Sequence, residues 1–264
     1  MVLFASFERL GTVDSTNAYL ATRAAEGAPE GSAVVAEHQS AGRGRLGRGW
    51  LDVPGGSVLC SVLFRPPFGP ERYFLLAWLL ALSAAGAIET ATGVEVGLKW
   101  PNDLEVASKK VAGVLGEAVP PDGLVVGIGI NCNWPGPQGD QPVRGPAGGD
   151  GLPETAAWLS RAADKAVDRE AVTRKMLSNC VFGYGELLDG GEDALVSSYR
   201  RRLTTIGRVV RVDLARESFT GRAADVDGSG RLLVESAGSI HSIDAADVVH
   251  LRAPPGPPGP PAGS

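Results

Sequence analysis

Cysteine, histidine and methionine are scarce in this chain, with 3 Cys, 3 His and 2 Met among 264 residues. Cys60, Cys132 and Cys180 are odd in number and far apart, so neither a disulfide framework nor a structural zinc site is expected. Each thiol reads as a small buried hydrophobe. Positive charge is also short: 25 Lys+Arg against 30 Asp+Glu give a formal charge of −5, without the general footprint of a nucleic-acid binder. Phe74 to Ile88 is apolar for 15 residues, short of the roughly 20 that cross a bilayer, and reads as a buried helix. Met1 to Leu10 lacks the basic start and long apolar run of a signal peptide, which leaves a cytoplasmic protein without membrane contact as the default. No G-x-x-x-x-G-K-[ST] sequence occurs, so a P-loop ATPase is unsupported.

What the chain does have is glycine and arginine in one place. From Gly42 to Trp50, Gly42, Gly44, Gly47 and Gly49 alternate with Arg43, Arg45 and Arg48, directly after a strand-like run at Ser32 to Glu37. Glycine lets backbone approach a ligand closely, and guanidinium forks pair with carboxylate or phosphate oxygens. The stretch reads as an anion-handling loop, with a basic surface hairpin as the bland alternative. Its letters also match the dinucleotide fingerprint G-x-G-x-x-G. That fingerprint must open a helix, and the following Gly49, Pro54, Gly55 and Gly56 break one.

The remaining pattern predicts two domains and a tail. Asp14, Ser15, Thr16 and Asn17 are capping residues before a helix over Ala18 to Ala25; they read as caps alone or as hydroxyl and amide groups turned toward a neutral polar ligand. Strands are expected at Ser57 to Phe64, Gly93 to Lys99, Val111 to Glu117 and Leu124 to Ile130, with the long apolar helix at Glu71 to Thr90. Trp100 to Asp103 forms a polar turn. Lys109 and Lys110, at the mouth of an apolar strand, read as a solvated rim or as chemistry. Pro135 to Pro153 is expected as an irregular loop, and Asp168 as the cap of a helix with Val172, Met176, Cys180, Tyr184 and Leu188 on its core face. Arg200 to Arg202 look like a charged linker. Five short strand candidates then make a small β domain at residues 204–252, after a larger domain at 1–203 and before a Pro/Gly-rich tail at 253–264.

These segments resemble the biotin protein ligases. The matching stretches are Asp14-Ser15-Thr16-Asn17, Gln39-Ser40-Ala41-Gly42-Arg43-Gly44-Arg45, Gly47-Arg48 with Trp50, Lys99-Trp100-Pro101-Asn102-Asp103, Lys110-Val111-Ala112-Gly113-Val114-Leu115 and Gly127-Ile128-Gly129-Ile130-Asn131, all in family order. The resemblance implies an α+β, class II synthetase-like fold: a central mixed sheet with helices on one side, followed by a small SH3-like β-barrel. It implies that biotin and ATP give biotinyl-5′-adenylate with Mg²⁺, and that biotin then passes to a lysine of a biotin carboxyl carrier protein. Biotin would meet Ser15, Thr16, Asn17, Gln39, Gly127 and Gly129.

Carried over residue by residue, Arg43, Arg45, Arg48 and Lys110 are the expected catalytic cations, because two anions must be brought together. Lys110 rather than Lys109 falls on the family motif. Gly42, Gly44, Trp50, Asn102, Gly113 and Asn131 complete the ligand contacts, with Trp50 or Trp100 covering the ligand, and Asp103 is a candidate contact to Mg²⁺. The first motif begins at Asp14, so the winged helix-turn-helix of regulatory members, and with it DNA binding, is not expected. A lipoate ligase shares the fold and is the second reading; a non-catalytic binding protein on a ligase fold is the third.

Overall fold

A computed structural model describes residues 6–52, 54–133, 156–214, 217–245 and 248–252, so the loop expected at Pro135 to Pro153 and the tail at 253–264 lie outside the described residues. The chain divides into two compact units, Met1–Leu203 and Thr204–Ser264.

The first unit is built on a seven-stranded mixed sheet. Its strands are β1 (Phe7–Val13), β2 (Ala33–Gln39), β3 (Ser57–Phe64), β4 (Gly97–Lys99), β5 (Asp103–Val106), β6 (Lys109–Val119) and β7 (Gly123–Asn131). They lie in the order β1-β2-β3-β7-β6-β5-β4. Only β1 and β2 run parallel; the other neighbours are antiparallel. β3 and β7 are buried at every position, which is why both read as near-continuous apolar runs without alternation.

Five helices complete this unit: α1 (Thr16–Ala25), α2 (Phe74–Thr92), α3 (Leu159–Ala162), α4 (Arg169–Leu188) and α5 (Glu192–Arg202). Successive side chains of a strand point to opposite faces, and this decides where the site lies. On one face, Phe64 meets Tyr184 of α4 edge-on at 5.1 Å, and α2 packs along α4. On the other face, Leu20 and Ala24 of α1 pack on Val34, Leu63, Val119 and Val125. The expectation that helices cover one side only is therefore corrected. α1 takes one end of the second face, where its short apolar stripe packs.

Other boundaries moved for identifiable reasons. α2 reaches Thr92, where Gly93 closes it in the left-handed conformation at φ 76°. With the preceding turn it is a 23-residue apolar stretch, long enough by length and composition to cross a membrane, yet Leu75, Leu76, Leu80 and Ile88 are fully buried in the sheet's core. In α4, Leu187 is buried where Leu188 was expected to be, because a strict four-residue spacing drifts from the 3.6-residue turn. The arginine triplet is the last turn of α5 and not a linker. Arg202 donates two hydrogen bonds to Glu89, at 2.5 and 2.9 Å, and Tyr199 stacks on Trp78 at 3.8 Å. All three cysteines are buried, and desolvation pushes each thiol up to about 12.

Asp168 caps α4 by accepting from the Ala171 amide at 3.0 Å. Asp168→Ala is expected to lower unfolding free energy by about 1 kcal/mol, measured by urea denaturation.

The second unit is an antiparallel sheet of β8 (Val209–Leu214), β9 (Ser218–Val226), β10 (Leu232–Ser236), β11 (Ser239–Ile243) and β12 (Val248–Arg252), in the order β11-β10-β9-β8-β12. Val210, Val212, Ala223, Val226, Leu232 and Val234 fill its interior, as expected of a small SH3-like module.

Candidate functional site

Beyond α1, the second face is floored by glycine. In register, Gly129 pairs with Leu59 of β3 and Gly113 of β6, and Gly127 pairs with Ser61 and Leu115. Three absent side chains leave a concavity where neighbouring strands carry bulk. Around it stands a polar wall supplied by the start of α1. Ser15 caps that helix and, with Thr16 and Asn17, is buried. Gln39 Oε1 accepts from the Thr16 amide at 2.8 Å and from its hydroxyl at 3.0 Å. Ser61 Oγ donates to Asn17 Oδ1 at 2.6 Å and lies 2.8 Å from Thr16 Oγ1. Asn17 Nδ2 donates to the Leu115 carbonyl and to Glu117 Oε2. The resulting cleft is walled by these hydroxyls and amides together with Arg43, Trp50 and Leu115.

The glycine-arginine stretch closes over this cleft as a hairpin. The Trp50 amide donates to Gly42 O at 2.8 Å, and the Gly44 amide to Arg48 O at 2.7 Å. Its tip is a short 3₁₀ turn at Arg45–Gly47, with Leu46 at φ 56° and Gly47 at φ 71°. A Cβ on Gly42 would stand 2.7 Å from Trp50 O, so glycine is required where the two strands of the hairpin meet. Trp50 lays its indole on the floor: a Cβ on Gly129 would lie 2.4 Å from the ring.

Lys110 uses the third glycine. Its Nζ lies over Gly113, 3.0 Å from where a Cβ would be, 2.5 Å from Asp103 Oδ1 and 5.5 Å from the Trp50 ring centroid. A β-bulge between β5 and β6, in the stretch where Lys110 pairs with Glu105 and Ala112 with Leu104, turns this lysine onto the site face. Lys109 is exposed.

The base of the hairpin is fastened by a carboxylate that sequence reasoning missed. Asp52 accepts from His38 Nδ1 at 2.9 Å and faces the Gln39 amide, so the residues entering and leaving the loop share one anchor. Burial pushes its carboxyl above the usual range, partly offset by the His38 hydrogen bond. Trp50 Nε1, Ser57 Oγ and Asn131 Oδ1 are buried without a hydrogen-bond partner. Ser57 and Asn131 face each other across β3 and β7, beyond Gly129.

With this geometry in view, comparison with known proteins separates ligases from other users of the fold. The Biotin/lipoate A/B protein ligase family model matches residues 10–134, and the Biotin protein ligase C terminal domain model matches residues 205–251. The biotin–[acetyl-CoA-carboxylase] ligase of Mycobacterium tuberculosis is 34% identical over 244 residues, spanning 90% of this chain and 86% of that protein. This chain belongs to the biotin protein ligase family. The bifunctional ligase/repressor BirA of Bacillus subtilis is 33% identical over 225 residues, and the chain spans 66% of its length. The structure of the biotin protein ligase from Aquifex aeolicus in complex with biotin and ATP has a TM-score of 0.79 and 29% identity, covering 95% of this chain and 100% of that one.

For a biotin protein ligase, the residues named from sequence divide by position. Ser15, Thr16, Asn17, Gln39, Arg43, Trp50, Gly113, Gly127 and Gly129 line one pocket. Lys110 and Asp103 stand at its Gly113 end, and Asn131 lies past Gly129 on the same face. Arg45 and Arg48 belong to the hairpin tip and not to the pocket wall. Asn102 Nδ2 donates to the Val114 carbonyl at 2.8 Å. Trp100 is a core residue, 1% exposed, and does not cover the pocket. Ser61, Leu115 and Glu117 were missed because each sits in an ordinary strand pattern; only the pairing register brings them to the site.

Proposed function

We propose that this chain activates biotin with ATP to biotinyl-5′-adenylate and pyrophosphate, then transfers the biotinyl group to a lysine of a biotin carboxyl carrier protein. The observation that carries the reading is a cleft walled by the hydroxyls and amides of Ser15, Thr16, Asn17 and Gln39 on a glycine floor, with Arg43 in its lining and the Lys110 ammonium at its Gly113 end. Hydroxyl and amide groups satisfy a neutral ureido ring without ionic partners, and Lys110 stands where a carboxylate could meet a phosphate.

In the first step a biotin carboxylate oxygen bonds to the α-phosphorus, and the α–β bridging bond breaks to release pyrophosphate. Lys110 offsets the repulsion between these anions, with Arg43, Arg45 and Arg48 assigned to carboxylate and phosphate oxygens. Asn131 Oδ1, an unpartnered buried acceptor, suits the adenine amino group. Mg²⁺ would be held largely by the phosphates, with Asp103 as the carboxylate within reach, and supplies charge neutralisation there. Among the described residues no group of three or more His, Cys, Asp or Glu side chains could hold a metal ion. In the second step the neutral amine of the carrier lysine attacks the acyl carbon, AMP leaves and the amide nitrogen loses a proton. Positioning supplies much of this step. Three buried, free thiols are compatible with a reducing compartment, and the cytoplasm is the proposed location.

The test is biotin-dependent exchange of labelled pyrophosphate into ATP, with lipoate run beside it. Exchange with biotin alone supports the reading; exchange with lipoate alone transfers the site to lipoate ligation, and none with either withdraws the activity. A second variant tests the loop. Gly44→Pro deletes the amide that bonds Arg48 O and forces φ from −125° toward −65°, so the hairpin cannot close as observed. Adenylate formation in this variant is expected to slow by about tenfold with the far-ultraviolet circular dichroism spectrum unchanged, as loss of loop closure alone would give.

A further inference from the structure

A site that brings two anions together should spend its cations on substrate, yet Arg43 already faces an anion. Its guanidinium lies 3.2 Å from Glu117 Oε1 on β6. The other oxygen of that carboxylate accepts from Asn17 Nδ2 at 2.8 Å, and Asn17 in turn holds Ser61 and the Leu115 carbonyl. Glu117 thus has one oxygen on the loop and one on the pocket wall. Arg43 also pairs by backbone with Gly49, so fixing Arg43 fixes both strands of the hairpin. The second strand ends in Trp50, whose ring lies on Gly129 and Gly113.

We propose that Glu117 is the positioning residue of this site: it seats Arg43 against the pocket wall and so sets the hairpin and its indole in register over the glycine floor. The proposal rests on the ligase reading for the identity of the ligand, and on the ligand-free geometry for everything else. A structural role in the fold is the competing account. It is disfavoured by exposure, since the Arg43 and Glu117 side chains are 45% and 30% exposed and a pair so wet adds little to global stability. What such a pair can do is bias a loop between two arrangements.

The experiment uses the full chain and compares wild type, Glu117→Gln, Arg43→Met and the double variant. Glutamine keeps an acceptor for Asn17 and removes only the charge. Three quantities are read: tryptic cleavage after Arg45 and Arg48 in the ligand-free protein, the apparent KM for biotin in pyrophosphate exchange, and the melting temperature. Each single change is expected to speed loop cleavage and raise KM about fivefold, the size of one half-exposed ion pair. The double variant should be no worse than the poorer single one, because both remove one interaction. In Glu117→Gln kcat should stay within about twofold, and in all variants melting within about 2 °C. Wild-type digestion in Glu117→Gln, or effects that multiply to about 25-fold in the double variant, would overturn the proposal. Should Glu117→Gln fail to fold, loop cleavage in ligand-free Arg43→Met decides, because that readout involves no substrate and the variant leaves Asn17 its partner. Wild-type protein that ignores biotin would remove the ligase reading, while the digestion comparison would still decide the role of Glu117.

Discussion

Lys110→Met is expected to reduce biotin-dependent pyrophosphate exchange by about 10²- to 10³-fold, the usual loss when one preorganised charge is taken from a developing anion. Methionine keeps the length and apolar stem of the side chain and removes the ammonium. Global stability should change by less than about 1 kcal/mol, since the Lys110–Asp103 pair is 36% and 24% exposed. The loss in rate exceeds the loss of one contact because the variant changes the sign of the local field. With Lys110 gone, the Asp103 carboxylate loses its ion-pair partner and its charge is left uncompensated beside an anionic substrate.

Lys110→Arg sharpens the argument. It restores the charge, but the space over Gly113 admits a slim ammonium: a Cβ there would already lie 3.0 Å from Nζ and 3.3 Å from the Trp50 ring. A planar guanidinium must therefore stand further out, and only partial recovery is expected. Exchange within tenfold of wild type in Lys110→Met would remove this lysine from the chemistry and leave the cations of the hairpin to carry it.

The sequence was most legible where backbone chemistry and side-chain chemistry coincide. The strands with the glycine floor announce themselves because Gly127 and Gly129 interrupt an apolar run. The capping cluster gives the start of α1, since Ser15 is both a cap and part of the pocket wall. Illegible were the features that depend on pairing across long separations. Glu117 sits in an ordinary strand pattern, and only its register beside Val125 puts it on the face shared with α1. Asp52 looks like a loop residue until His38 is seen beside it. Trp100 and Trp50 carry the same side chain, and nothing local says that one ends in the core at 1% exposure while the other lies on a ligand floor. The arginine triplet misled for a related reason: a helix with little apolar content hides its packing in one stacked pair, Tyr199 on Trp78.

The two floor glycines should fail in different ways. A methyl group on Gly127 would stand 2.0 Å from Asn17 Oδ1 and 3.0 Å from Ser61 Oγ, both buried and hydrogen-bonded to each other. Asn17 cannot retreat without abandoning Ser61, Leu115 and Glu117 together. Gly127→Ala therefore combines overpacking, about 1–3 kcal/mol, with an orphaned buried polar group of similar cost. Urea denaturation should show about 2–5 kcal/mol of destabilisation, and calorimetry a loss of biotin affinity above about 100-fold. The three atoms nearest a methyl on Gly129 all belong to the Trp50 ring, the first at 2.4 Å, and that ring is carried by a hairpin whose tip is exposed. The indole can move away at the expense of loop closure, so Gly129→Ala should unfold within about 1 kcal/mol of wild type and still lose about tenfold in adenylation. Equal destabilisation by both substitutions would mean that Trp50 is part of the fixed core and not of a closing segment, and the hairpin would then have to be read as scaffold.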